Sequence, residues 1–277
     1  MKKLMIAASA ALCATVSFAE LASANVVGYV QKEQLDGAFS RTACFDGVAT
    51  EAMDIQEIIP AFPEGEELYT GGVQIMTLTA GTETDATYIY MTATDAKEVD
   101  GIEKAGWFNM DMDTRLTGAK AVTFDPGEGF LVISDIPETT ITFAGAVAQG
   151  DTINEMIAGA NFCGNNALTN LDLQSIEVGT ECSDEGVIST PIDDIYSGAF
   201  QIMTLTAGTE TDATYIYMTA TDAKEVDGIE KAGWFNMDMD TRLTGAKAVT
   251  FEPGEGFLVI SDFDTSFVKV SGNPALN

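Results

Sequence analysis

A chain of 277 residues with 46% hydrophobic side chains and 26 glycines has material for two packed cores, and its hydrophobicity argues against disorder despite a formal charge of −30. With 43 acidic residues against 13 basic ones it lacks the Lys/Arg clusters that nucleic acid and anionic membranes require. It has no histidine, which excludes Ser-His-Asp and Cys-His catalysis and the common histidine zinc sites.

The opening segment, MKKLMIAASAALCATVSFAELASAN, joins two lysines to an uncharged apolar run from Leu4 to Ala19 and then to small residues, the pattern of a secretory signal. Cleavage after Ala24 is preferred to cleavage after Ala19, because Val26 then opens a strand pattern. Leu12 precedes Cys13 where a lipoprotein signal wants Gly, Ala or Ser, which argues against a lipid anchor. No later run reaches the roughly 20 apolar residues that span a bilayer. The expected mature protein is therefore exported, extracellular or at the cell surface, with the periplasm as the alternative. Loss of Lys2, Lys3 and Glu20 with the leader takes 13 basic and 43 acidic side chains to 11 and 42, a formal charge of −31.

Downstream the dominant period is two, the strand signal. A short helical turn is expected at Glu51 to Ile58, where apolar residues recur at longer spacing. In ATYIYMTAT, Ile89, Met91 and Ala93 alternate with Tyr88, Tyr90 and Thr92. The link that follows contains Asp100-Gly101, an attractive hairpin turn, but a two-residue loop there would oppose Glu98 to Glu103 and Lys97 to Lys104. A longer, mobile loop is expected across Asp95 to Ala105, and again across Asp222 to Ala232. In GWFNMDMDTRLTG, Phe108, Met110 and Met112 read as one apolar, core-facing stripe opposite Trp107, Asn109, Asp111 and Asp113. AVTFDPGEGFLVIS reads as strand, turn, strand, with Pro126 setting φ and Gly127 supplying a positive φ. ITFAG supplies a final strand.

The chain then repeats itself. Residues 74–135 match residues 201–262 at a constant offset of 127, with Asp125 to Glu252 as the single change. Upstream, CFDGVATEAMDIQEI from Cys44 aligns with CGNNALTNLDLQSI from Cys163 once one gap is allowed, so Thr169 to Ile176 carries the second helical turn. The predicted architecture is all-β: a leader over 1–24 and two tandem antiparallel modules over 25–148 and 149–277, each sandwich-like or a small barrel with a short helical turn. Any surface of the module is presented twice, which favours avidity for a repetitive partner and exposes identical segments to exchange.

GANFCGNN, DLQSI, PGEGFLVIS and ITFAG together resemble a recurrent exported bacterial β-module. Its pattern is a Gly-x-Asn strand, a short helical turn, an aromatic strand with Trp, a Pro-Gly-x-Gly-aromatic turn and a last strand ending in Gly. The start ANVVGYV is similar to that of tandem secreted proteins carrying this module in some Gram-negative bacteria. The first copy departs at GAFSRTACF, where the Asn is missing. The resemblance implies a fold and a location, and no activity.

Three groups of residues are candidates for function. Tyr88, Tyr90 and Trp107 beside Asn109, with Tyr215, Tyr217 and Trp234 beside Asn236, could form aromatic platforms for sugar rings; the competing reading is ordinary packing of a two-layer β-domain. Asp111 and Asp113, with Asp238 and Asp240, have the alternate spacing of a calcium loop, but Thr114 stands where Gly should follow and the distal Glu is absent. The competing reading is a solvated strand face. Cys163 and Cys182 are the nearest cysteine pair and candidates for a disulfide, against the reading of small buried residues. The expected function is non-enzymatic: binding of carbohydrate or another surface polymer, with calcium as the candidate assisting ion. A purely structural or self-assembling subunit is the alternative, and a glycan hydrolase using paired carboxylates is the second.

Overall fold

The computed structural model describes residues 27–33, 38–43, 52–77, 86–125, 127–146, 151–165, 167, 169–182, 188–189, 195–204 and 213–270. The predicted leader and Cys44 lie outside these.

Among the described residues the first half carries ten strands: β1 (Val27–Glu33), β2 (Ala38–Ala43), β3 (Met53–Asp54), β4 (Ile59–Ala61), β5 (Val73–Thr77), β6 (Ala86–Met91), β7 (Gly106–Asn109), β8 (Thr123–Phe124), β9 (Gly129–Ser134) and β10 (Thr140–Ala146). They form a five-stranded sheet ordered β2-β9-β5-β6-β7, a three-stranded sheet β1-β10-β4 and the pair β3-β8. The second half carries β11 (Thr152–Met156), β12 (Gly159–Gly164), β13 (Leu171–Asp172), β14 (Glu177–Gly179), β15 (Glu181–Cys182), β16 (Ile188–Ser189), β17 (Phe200–Met203), β18 (Thr214–Met218), β19 (Gly233–Asn236), β20 (Thr250–Phe251), β21 (Gly256–Ser261) and β22 (Ser266–Val270). Its order is the same: β12-β21-β17-β18-β19, β11-β22-β14 and β13-β20, with β15-β16 as an added hairpin. All strand pairs are antiparallel. Among the described residues no sheet closes on itself, so the barrel alternative falls and the layered all-β reading stands.

Each half packs its own core. In the first, Val73, Ile75, Tyr90, Trp107, Phe130 and Val132 of the five-stranded sheet meet Ile141 of the three-stranded sheet, with Met53, Ile55, Ile58 and Phe124 between them. In the second, Phe200, Ile202, Trp234, Phe257 and Val259 meet Val178, Val268 and Val270 around Leu171, Leu173 and Phe251. The predicted helical turns are 3-10 turns at Ile55–Glu57 and Leu173–Ser175, each started by an aspartate, Asp54 or Asp172, that accepts a bond from the backbone two residues on. The PGEG turns also form as read. Glu128 N donates to Asp125 O at 2.9 Å with Gly127 at φ 80°, and Glu255 N to Glu252 O at 2.9 Å with Gly254 at φ 71°.

Three expectations are corrected. The segment expected as a mobile loop from Asp95 is a helix, α1 (Ala93–Asp100), repeated as α2 (Ala220–Asp227). Thr92 Oγ1 caps its start by accepting from Asp95 N at 3.1 Å, and Gly101 ends it at φ 80° with its N–H on Lys97 O. The like charges expected to clash are thereby rearranged, and Lys97 pairs with Glu103 at 2.5 Å. Second, the core face of β6 and β7 is inverted. Tyr90 and Trp107 point into the main core, while Ile89, Met91 and Phe108 face the other way and are covered by Ala96 of α1. Met110 and Met112 belong to neither core; at 68% and 41% exposure they lie beyond the end of β7, as do Met237 and Met239 beyond β19. Third, the repeat alignment upstream shifts. Thr42 and Cys163 are the equivalent positions, each opposite the Phe of GFLVIS, so Cys44 is not the counterpart of Cys163.

Candidate functional site

The duplicated phrase GWFNMDMDTRLTG builds a tight hairpin at the edge of each five-stranded sheet. β7 pairs with β6 in the register Tyr88↔Asn109, Ile89↔Phe108, Tyr90↔Trp107 and Met91↔Gly106. The chain then reverses. Met112 N donates to Asn109 O at 2.9 Å, Asn109 N to Thr114 O at 3.0 Å and Leu116 N to Trp107 O at 3.0 Å. Asn109 is the hub of the reversal: its Oδ1 accepts from Asp113 N at 3.1 Å and Thr114 N at 3.0 Å, while its Nδ2 donates to Asp113 Oδ1 at 2.9 Å. Thr114 Oγ1 adds a bond to the same carboxylate oxygen at 2.8 Å. These hydrogen bonds, Thr114 foremost, hold the Asp113 carboxyl below its ordinary range; Asn236 and Thr241 do so for Asp240. A reversal this tight forces Met112 to φ 58° and Met239 to φ 55°, the left-handed region.

Trp107 and Trp234 are fully buried. Trp107 Nε1 donates to Ile58 O at 2.7 Å, and Trp234 Nε1 to Ile176 O at 3.0 Å. Tyr90 meets the Trp107 ring edge-on, with centroids 5.0 Å apart and planes at 67°; Tyr217 and Trp234 stand at 5.3 Å and 68°. Tyr88 and Tyr215 are half-buried against the same cores. Burial raises the hydroxyl pKa of all four tyrosines. The aromatic groups predicted to receive a sugar are thus brought together in space, but Tyr90 and Tyr217 pack edge-on against the buried tryptophans, Tyr88 and Tyr215 are half-buried, and Asn109 and Asn236 are committed to their turns.

Sequence reasoning missed the side chains that hold this hairpin down. Gln56 offers its amide where a neighbouring strand would offer backbone: Nε2 donates to Trp107 O at 2.8 Å and to Leu116 O at 3.2 Å, and Oε1 accepts from Trp107 N at 3.2 Å. Gln174 repeats this on Trp234. Arg115 lies over the Phe108 ring at 4.7 Å, pairs with Asp100 at 2.5 Å and donates to Lys104 O at 2.7 Å. Arg242 makes the same contacts with Phe235, Asp227 and Lys231 O. The arginines hold Asp100 and Asp227 below the usual carboxylate range. The available signal was the shared Asp-x/Leu-Gln spacing of AMDIQEI and LDLQSI, which fixes both glutamines relative to their 3-10 turns.

The remaining predicted sites are placed as follows. Asp111 and Asp238 are exposed. Among the described residues no three Asp, Glu, Cys or His side chains converge as a metal ion would require. Cys163 is a free, buried thiol whose Sγ lies 3.8 Å from Met156 Sδ, so the predicted bridge to Cys182 is not formed; the Cys182 side chain lies outside the described residues. Burial pushes the Cys163 pKa strongly upward. Glu128, half-buried in its turn, is raised above the ordinary carboxylate range by burial and by the Asp125 charge. Among the described residues no helix is long and apolar enough to cross a membrane. No family model, curated protein or solved structure matches this chain.

Proposed function

We propose that this protein is an exported, non-catalytic structural component of the cell exterior, and that its duplicated aromatic and acidic phrase is a folding device. The observation that carries this reading is the burial of Trp107 and Trp234, each with its indole N–H spent on a backbone carbonyl. A sugar platform needs an open ring face. A hydrolase needs a facing pair of carboxylates with separated pKa values; Asp113 and Asp240 are instead spent on their own turns.

Beside their exposed aspartates the hairpins present a duplicated pair of apolar side chains. Met110 and Met112 stand out in one, Met237 and Met239 in the other. Flexible thioether side chains suit contacts between protein surfaces, and two copies allow one molecule to join two neighbours. Self-association through these turns is the assembly mode proposed.

Fluorescence quenching and light scattering test the reading together. Both tryptophans are expected to resist acrylamide and to ignore a broad glycan panel, while the protein forms concentration-dependent species that Met110→Asp with Met237→Asp abolishes. Glycan-dependent change in tryptophan emission would restore the carbohydrate reading. A strictly monomeric profile at all concentrations would remove the assembly mode.

A further inference from the structure

The two halves of the chain meet through equivalent strands taken crosswise. β2 lies against β21 and β12 against β9, while β9 meets β21 and β2 meets β12. The registers make β2 equivalent to β12, since each pairs along a GFLVIS strand, and make β9 equivalent to β21. Exchanging the halves therefore returns the same set of contacts: β2 on β21 becomes β12 on β9, and the other two pairs map onto themselves. A head-to-tail contact joins two different surfaces and does not survive that exchange; a twofold contact does.

The approach is close at the backbone. Gly164 N donates to Gly127 O at 3.0 Å, and Glu128 and Cys163 form an isolated antiparallel bridge. A Cβ on Gly129 would stand 2.7 Å from Cys163 O, so only glycine fits there. Around Gly127, Thr152 and Asn154 of β11 stand about 3.1 Å from where a Cβ would be. Leu131 and Ile133 of β9, with Leu258 and Ile260 of β21, alternate with core residues and are half-buried. These are the apolar side chains the GFLVIS strands carry on the faces away from their own cores.

We propose that the surface made by the GFLVIS strand and its edge partner is a twofold self-recognition surface. Its partner is a second copy of the module, supplied here by the same chain. The protein is a tethered dimer of modules: this surface is used up within one molecule, and the methionine-bearing turns stand at twofold-related positions.

Engineered disulfides in the full chain test it. With Cys13, Cys44 and Cys182 changed to Ser, Glu128→Cys faces the native Cys163 across an antiparallel bridge, a Cα separation of about 5 Å that a disulfide spans. Oxidation is expected to consume both thiols and give a mapped 128–163 link in a monomeric chain. The twofold then demands the mirror link. Thr42→Cys with Glu255→Cys, in a chain with all four native cysteines changed to Ser, is expected to close within the monomer as well. Closure of 128–163 without 42–255, in chains that keep the parent's tryptophan shielding, overturns the twofold. Hydrogen exchange on the unaltered chain gives a readout free of substitution. The amides of Gly164 and of its counterpart Ala43 are both expected to exchange at least about 100-fold more slowly than an unstructured chain. Protection of Gly164 alone overturns the twofold, and protection of neither overturns the contact.

Discussion

Gln56 and Gln174 do with a side chain what a neighbouring strand does with its backbone. β7 and β19 are edge strands, and an edge exposes a row of unpaired N–H and C=O groups. In each half a glutamine and the returning hairpin arm occupy that row opposite the tryptophan. Gln56→Ala leaves the Trp107 N–H and part of its carbonyl unpaired in a half-buried place, at a cost of about 1–3 kcal/mol. A fall in Tm of about 3–10 °C on calorimetry is expected. Gly106 and Gly233 are required by the same arrangement. A Cβ on Gly106 would lie 2.5 Å from Arg115 Nη1 and 2.6 Å from Gln56 Oε1, so Gly106→Ala must displace both. By contrast Met112 is held at φ 58°. Met112→Gly relieves that conformation and is expected to raise the urea midpoint, with a gain of about 0.5–1 kcal/mol. The pairing of hydroxyls also outlasts the identical stretch: Thr70 and Ser197 each donate to the aspartate of the following helix, Asp95 or Asp222.

At the scale of elements, the period-two pattern located the strands and misassigned their faces. Alternation establishes that two faces differ; it does not establish which faces the larger core when both are apolar. Here α1 and α2 cover the second face, so Ile89, Met91 and Phe108 are buried without belonging to the main core. The pattern also ran past the end of β7, because Met110 and Met112 continue the rhythm into a turn that Asn109 dictates by hydrogen bonding to its own successors. The helix itself was legible in its punctuation, Thr92 at the N-cap and Gly101 past the end. It is short, and charge repulsion in an imagined hairpin obscured it. Thr92→Ala removes the cap that accepts from Asp95 N, and a loss of about 1 kcal/mol is expected in chemical denaturation, with Thr219→Ala matching it in the second half.

For the molecule as a whole, acidity sets the response to pH. Asp95, Asp100, Asp113, Asp227 and Asp240 have depressed pKa values in the fold, from hydrogen bonds to Thr70, Arg115, Thr114, Arg242 and Asn236 respectively. Their contribution is complete above the ordinary unfolded value near 4 and is lost as pH falls through the folded values. Glu128 has the opposite sign: its folded value is raised by burial, so it takes a proton more readily in the fold and stability rises as pH drops from neutral toward that ordinary value. Easing of the repulsion within a chain of formal charge −30 acts in the same direction. A urea midpoint higher at pH 5 than at pH 7, and falling again by pH 3, is the expected profile. Glu128→Gln should flatten the rise between pH 7 and pH 5. A midpoint that does not rise between pH 7 and pH 5, where the depressed aspartates are still fully ionised, would show that neither Glu128 nor the easing of repulsion governs stability there.

The strand content, the duplication and the two PGEG turns were settled by the order of residues, because period-two alternation, self-similarity and a Pro-Gly pair each act over a few neighbours. Which aromatic faces would be covered was settled only by contacts between distant parts of the chain, where Gln56 closes on Trp107 across 51 residues and Ile58 across 49. The relation of the two halves was likewise decided in three dimensions. Equivalent strands can meet head-to-tail or crosswise with the same local propensities, and only the packing of one GFLVIS strand on the other selects between them.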